Sequence, residues 1–171
     1  MPFMRPEECS TDEACSIDVM RHAIKFYADK GEPFDYIIMI EPTSPMRLVK
    51  DIDDPLERLH NNEGAKSTVS VVGVKTAHPE YVMTVNDDNF IGFYIEKEKY
   101  MPKRRQDTST VYFPEGTVYI SEIPTLLEEG TYYHKRCLAY IIEPERSLEI
   151  DDEYDMIMIE ALMKHMEEYN D

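Results

Sequence analysis

Apolar positions recur at helical spacing early in the chain, at Ile17, Met20, Ala23 or Ile24, and Tyr27, with Gly31 as a stop. With Ser10 and Glu13 as a capping box, this spacing predicts a helix from Ser10 to Gly31. The pattern then changes. Residues 35–40, "DYIIMI", are apolar without polar alternation. Such a run predicts a strand covered on both faces, and hence a mainly parallel sheet flanked by helices. Asp54 and Pro55 read as the start of a second helix, with Pro in the first helical position and Leu56, Leu59 and His60 on one side. "STVSVVGVK", residues 67–75, is the next β-rich run. Alternation of helix and strand is the rhythm of an α/β domain.

After His78-Pro79 the rhythm breaks. "YVMTV", the turn "NDDN" at 86–89 and "FIGFYIE" predict a hairpin, and a basic stretch, "KYMPKRRQD", follows at 99–107. Residues 76–115 are therefore read as an arm inserted into a single domain of residues 1–171. Strand is expected again at 116–120, a helical turn at 124–129 and strand at 137–142. The closing helix is expected from about Asp152, with Tyr154, Ile157 or Met158, Ala161 or Leu162, and His165 on one face.

Size and charge narrow the function classes. A chain of 171 residues buries roughly two thirds of the surface that its unfolded form exposes, enough for one real core. A formal charge of -17 argues against nucleic acid as a partner, because affinity for phosphate backbones comes from clustered Lys and Arg. Cys9, Cys15 and Cys137 form no C-x-x-C pair, so neither a disulfide framework nor a zinc site is indicated. No apolar run has the length of a membrane span, and "MPFMRPEECS" lacks the layout of a signal peptide. The expected location is the cytoplasm.

Three stretches carry candidate chemistry. "EPTSPMR" follows the predicted buried strand directly, and in open α/β sheets ligands bind outside the carboxyl ends of strands. A Pro-bracketed turn that only redirects the chain fits the same residues. "KRRQD", residues 103–107, is a dense basic cluster suited to phosphate or carboxylate, or equally a solvated loop balancing nearby acid. "SLEIDDEYD", residues 147–155, gathers Glu149, Asp151, Asp152, Glu153 and Asp155 around a helix start. Acids are favoured there by the helix dipole. The sharper reading is a magnesium site, since carboxylates two apart on an extended segment point the same way and Mg²⁺ takes one or two of them plus substrate phosphates. "NDDN" reads as a hairpin turn rather than a calcium loop.

Taken in order, "RPEECSTDEACSIDVMRHAI", "IMIEPTSPMR" with "DIDDPLERL", "VSVVGVKTAHPE", "RRQD", "GTVYI" and "ERSLEIDDEYD" resemble the acylneuraminate cytidylyltransferase family. That family makes CMP-activated sialic acid and related nine-carbon sugar acids. The resemblance covers nearly the whole chain and implies a Rossmann-like α/β nucleotidyltransferase fold, CTP and a sugar acid as substrates, release of pyrophosphate, and Mg²⁺. It places Arg5 and Ser16 at the cytidine. Glu41, Thr43 and Ser44, in the loop that holds Pro42 to Pro45, fall at the sugar. Arg105 and Tyr119 match sugar-acid contacts, Tyr132 and Tyr133 an aromatic pair near the acyl group, and Glu149 and Asp151 the paired metal carboxylates. Asp151 and Arg105 are the expected catalytic groups. The family's arm exchanges between subunits, which implies a homodimer in which Arg105 completes the partner's pocket.

The resemblance is incomplete. The family's first strand and its A-R-x-G-S-K-G loop, which holds the triphosphate, have no counterpart, and the six glycines, at 31, 64, 73, 92, 116 and 130, form no phosphate cradle. The chain is expected to be an N-terminally truncated member with little activity, or alternatively a non-catalytic dimerising or regulatory module of that descent. Family Gln is Glu41 here, family Asn is Glu115, a basic position is Tyr81, the aromatic Phe-Phe pair is Tyr132-Tyr133, and the first metal Asp is Glu149. Added negative charge should weaken binding of an acidic sugar.

Overall fold

The computed structural model describes residues 2–11, 13–95 and 104–169. Its elements in chain order are α1 (Ser16–Asp29), β1 (Tyr36–Met39), α2 (Lys50–His60), β2 (Ser67–Gly73), β3 (Met83–Val85), β4 (Ile91–Phe93), β5 (Tyr112–Glu122), α3 (Ile123–Glu129), β6 (Cys137–Ile142) and α4 (Glu153–Tyr169). The main sheet has the order β1-β5-β2-β6, and β3-β4 form a separate hairpin.

Strands β1, β2 and β6 point one way, with β2 and β6 a parallel pair. Strand β5 runs against both β1 and β2 and lies between them. The expected parallel sheet is thus a mixed one. The apolar run in β1 nonetheless has the predicted cause. Ile37 and Met39 pack with Ile17, Val69, Tyr119 and Leu126 on one face, while Tyr36 and Ile38 pack with Leu59, Val118 and Ile120 on the other. Helix α1 lies over the first face through Ile17, Met20 and Ile24, and α2 covers the second through Leu56 and Leu59.

Several boundaries differ from the sequence expectation, for local reasons. Helix α1 begins at Ser16 because residues 7–9 form a short 3-10 turn and the Ser10 hydroxyl donates back to the Pro6 carbonyl (2.8 Å), so no capping box forms. Gly31 does end the helix, at φ 77°. Helix α2 starts four residues before Asp54, at Lys50, with Pro55 buried inside it. There the Asp51 carboxylate accepts the Leu48 amide (2.8 Å) and starts the helix early. Among the described side chains of α4 the buried one is Ile159, while Tyr154, Ile157 and Met158 of the expected core face are exposed. The predicted hairpin forms, and its "NDDN" turn is closed by the Asn86 side chain, which accepts the amides of Asp88 and Phe90, with Asn89 at φ 64°. Of the basic stretch, residues 99–103 lie outside the described residues, and Arg104 pairs with Asp107 at 2.7 Å.

Candidate functional site

Strand β5 does not pair smoothly with β2. Val69 faces Tyr119 and Val71 faces Pro114, so residues 115–118 bulge out opposite Ser70. The Ser70 hydroxyl fills the gap, donating to the carbonyls of Glu115 (2.8 Å) and Val118 (3.0 Å) and accepting the Val118 amide (2.9 Å). Gly116 sits in this bulge, where bulges re-aim backbone and side chains.

Two loops meet there. The first is the segment after β1. Arg47 stitches it to β5, donating to the carbonyls of Thr117 (2.6 Å), Glu41 (2.7 Å) and Gly116 (3.1 Å). The loop is therefore more than a chain-redirecting turn, because it is tied into the sheet by a half-buried guanidinium spent on backbone. The second is the acid loop after β6. The Ile150 amide donates to the Thr43 carbonyl (2.9 Å), and the Gly116 amide donates to the Glu149 carboxylate. Both loops leave the carboxyl ends of strands with a common direction, as ligand-binding loops of α/β sheets do.

The convergence is tight. A Cβ on Gly116 would lie 2.7 Å from Glu41 Oε2, 2.8 Å from Glu149 Oε1 and 2.8 Å from Ser44 Oγ. Ser44 is 2 % exposed and its hydroxyl has no hydrogen-bond partner, nor has Oε1 of the buried Glu115. Burial pushes the Glu41 carboxyl above its ordinary value, and the negative charges of Glu149, Glu115 and Asp151 push it further, against the opposing pull of Arg47. Tyr119 and Tyr133 complete the wall, their rings edge to face at 6.3 Å, with Tyr132 against Tyr119 at 5.6 Å. Burial pushes the Tyr132 phenol up to about 12.

The acid loop is held from behind. Asp51, fully buried, accepts from Arg146, from the Leu48 amide (2.8 Å) and from Tyr140 (3.1 Å), and Arg146 also pairs with Glu143. Burial alone would raise the Asp51 carboxyl, but the hydrogen bonds from Arg146, Leu48 and Tyr140 outweigh it and hold Asp51 below its ordinary value.

Of the residues singled out from sequence, Glu41, Ser44 and Glu149 meet at Gly116, and Tyr119, Tyr132 and Tyr133 stand together. Thr43 contributes its carbonyl to the loop contact. Asp151 is exposed, its amide donating to Asp155 (3.0 Å). Arg105 lines a separate hollow with His78, Tyr81 and Thr108 at the base of the arm. Arg5 is exposed on the segment leading into α1, and Ser16 is exposed as its first residue. Among the described residues no three side chains of the His, Cys, Asp and Glu types stand close enough to hold a metal by themselves. Sequence reasoning missed Gly116 as the centre and the Asp51–Arg146 pair. A lone glycine inside a strand run was the available signal for the first.

The fold is of the nucleotidyltransferase class. It aligns with the solved structure of CMP:2-keto-3-deoxy-manno-octonic acid synthetase complexed with CTP at a TM-score of 0.52 and 14% identity, over 90% of this chain and 70% of that one. In sequence the chain is 30% identical over 156 residues, 91% of its length, to the N-acylneuraminate cytidylyltransferase of Streptococcus agalactiae serotype V, and 24% identical over 165 residues to the pseudaminic acid cytidylyltransferase of Campylobacter jejuni. The resemblance read from the motifs is therefore borne out: along nearly its whole length the chain is related to acylneuraminate cytidylyltransferases. It spans 36% of the first of these relatives, and 68% of the second. No family model matches it. No helix among the described residues is long and apolar enough to cross a membrane.

Proposed function

We propose that this chain carries the sugar-acid side of a cytidylyltransferase that transfers CMP from CTP to a nine-carbon 2-keto sugar acid, with release of pyrophosphate. The observation that supports this reading best is the meeting of the Pro-Thr-Ser-Pro loop, the Gly116 bulge and the acid loop, within a stretch related to such enzymes along 91% of its length.

In this reading Tyr119, Tyr132 and Tyr133 wall the sugar, and Glu41, Thr43 and Ser44 line its polar side. Arg5 and Ser16 face the cytidine. Glu149 and Asp151 are the carboxylates for Mg²⁺. The donor set fits that ion: its groups are hard oxygens, Ser44 Oγ is buried without a partner, and Mg²⁺ needs few protein ligands when phosphate oxygens supply the rest. When bound, the ion would stabilise negative charge on the reacting phosphate. The protein's own task is to hold the acid loop and sugar wall still, which Arg47 and the Asp51–Arg146 pair accomplish. The homodimer belongs to the same reading. It is supported by a hairpin that leaves Val85, Phe90, Ile91 and Tyr94 largely exposed, and Arg105 would serve the partner's pocket. A monomeric sedimentation profile at micromolar concentration would remove that part.

No glycine-rich phosphate-holding loop occurs among the 171 residues. The chain alone is therefore expected to turn over CTP slowly or not at all. The test is pyrophosphate release with CTP, Mg²⁺ and a panel of nine-carbon sugar acids, measured for the chain and for a chimaera carrying the glycine-rich segment of a relative. Turnover gained in the chimaera and lost on Asp151→Asn supports the reading. A folded chimaera that neither binds a sugar acid nor releases pyrophosphate overturns it in favour of a non-catalytic dimerising module.

A further inference from the structure

Strand β1 is an edge of the main sheet, paired on one side with β5. The Asp35 carbonyl accepts the Ile123 amide (2.9 Å), and the Glu41 amide donates to the Gly116 carbonyl (3.3 Å). Backbone groups alternate in direction along an antiparallel strand, so Ile37 and Met39 also turn to β5, while Tyr36, Ile38 and Ile40 present amide and carbonyl to the open side. Natural edges are blunted by Lys, Pro or a bulge. The strand "YIIM" carries none of these. The open side is also hollow on both faces of the sheet. Towards α1, Met20, Ile24 and Tyr27 with Phe34 and Ile37 line an apolar hollow of about 300 Å³. Tyr36 and Ile38, whose side chains pack on the opposite face, line it too, so it opens along the free edge of the strand. Towards α2, Tyr36, Leu56 and His60 line a second hollow, of about 360 Å³, together with the exposed acids Asp53 and Glu57. Among the described residues neither of those acids is in an ion pair.

We propose that the free edge of β1 is a docking site for one extended segment of another polypeptide, apolar on the side that meets α1 and carrying Lys or Arg on the side that meets α2. In strand addition of this kind backbone hydrogen bonds supply affinity, and the flanking hollows read alternate side chains. The α1 hollow, walled by aliphatic and aromatic groups, takes Val, Ile or Leu. In the α2 hollow a basic side chain lays its stem along Leu56 and Tyr36 and brings its charge to Asp53 and Glu57. The same two acids argue against a second copy as the occupant. Edge-to-edge pairing about a two-fold axis would set Asp53 and Glu57 against their own counterparts, in a chain whose formal charge is already -17. The inference does not rest on the proposed reaction.

The experiment uses the full chain and a fluorescein-labelled peptide of about seven residues, capped at both ends, in which Val and Lys alternate so that one face is apolar and the other basic. Fluorescence anisotropy measures its affinity, and amide exchange followed by NMR locates it. The native chain should bind the peptide, and binding should slow exchange at the outward amides of Tyr36, Ile38 and Ile40 while those of Ile37 and Met39, already bonded to β5, change little. A peptide with Glu in place of Lys should bind about tenfold more weakly or worse, and the double variant Asp53→Asn, Glu57→Gln should narrow that gap. Ile40→Pro removes an outward amide at an exposed residue and leaves the β1–β5 ladder intact; it should cost about tenfold in affinity for the Lys peptide. The exchange pattern of the native chain needs no variant, so a poorly folded Ile40→Pro does not remove the test. The proposal is overturned by a Lys peptide that fails to bind, by one that slows exchange only at acidic surfaces away from β1, or by equal affinity for the Lys and Glu peptides. A folded Ile40→Pro that binds like the native chain overturns it too. So does a native chain that, alone, sediments as a dimer with the Ile38 amide already protected, because the edge would then belong to a second copy.

Discussion

Replacing Gly116 with Ala adds a single methyl group where three oxygens already stand. The new carbon would lie 2.7–2.8 Å from Glu41 Oε2, Glu149 Oε1 and Ser44 Oγ, whereas ordinary contact begins near 3.4 Å, so each oxygen must retreat by about 0.6 Å. Glu41 can swing away, being half-buried on a long side chain. Ser44 cannot easily do so. It is 2 % exposed, in a loop pinned by Arg47 and by the Ile150–Thr43 hydrogen bond. Glu149 can retreat only by giving up the Gly116 amide.

Overpacking of this kind costs about 1–3 kcal/mol, and loss of a hydrogen bond to a charged group adds about 1.5–3 kcal/mol where it occurs. We therefore expect Gly116→Ala to destabilise the chain by about 2–4 kcal/mol, a fall in Tm of about 5–15 °C for a domain of this size. Urea unfolding followed by circular dichroism measures it. Gly73→Ala is the control, because a Cβ there meets nothing within 4 Å. If Gly116→Ala unfolds at the same urea concentration as Gly73→Ala, the three oxygens are not held where the bulge requires them, and the candidate site loses its geometry.

Asp51→Ala leaves the buried Arg146 with only the exposed Glu143 as partner and should cost about 2–4 kcal/mol by urea titration, somewhat less than a buried pair whose remaining charge has no other partner. The Asp51 carboxyl is held below its ordinary value in the folded chain, so its contribution is complete above the unfolded-state pKa and is lost as pH falls through the lowered one; the acid limb of the stability profile should flatten in Asp51→Asn, and an unchanged limb would count against the pair. Arg47→Lys keeps the charge but cannot reach three carbonyls with one ammonium. We expect a loss of about 1–3 kcal/mol, and faster hydrogen exchange at the Glu41 and Gly116 amides than in the native chain.

Several helices and strands were legible because their pattern is local: α1 follows from apolar spacing, and β1, β2 and β6 from apolar, β-rich runs. Helix starts were not, because a competing local bond decides them, as when the Ser10 hydroxyl turns to Pro6 or the Asp51 carboxylate takes the Leu48 amide. The antiparallel place of β5 between β1 and β2 was also hidden, since strand order is settled by contacts far apart in sequence. In α4 the apolar residues surround most of the helix, so spacing alone could not choose Ile159 over Ile157 or Met158. The candidate site was half legible. Its two loops announced themselves by prolines and clustered acids, but the bulge that joins them depends on a register shift opposite Ser70.

Asp51 and the carboxylates around Gly116 are built on different terms, and the contrast bears on what each is for. Asp51 is fully buried, yet both its oxygens are answered by Arg146, Tyr140 and the Leu48 amide, as a structural carboxylate must be. Around Gly116 the same chain does the opposite. Glu115 is 3 % exposed with one oxygen unanswered, Ser44 Oγ is unanswered, and Glu41 is crowded by three other carboxylates with its nearest guanidinium turned to backbone. A sequence able to satisfy a buried acid so completely at Asp51 has left a second group unsatisfied a short distance along the same loops. Local conflicts of that sort cost stability and persist where something other than folding makes use of them.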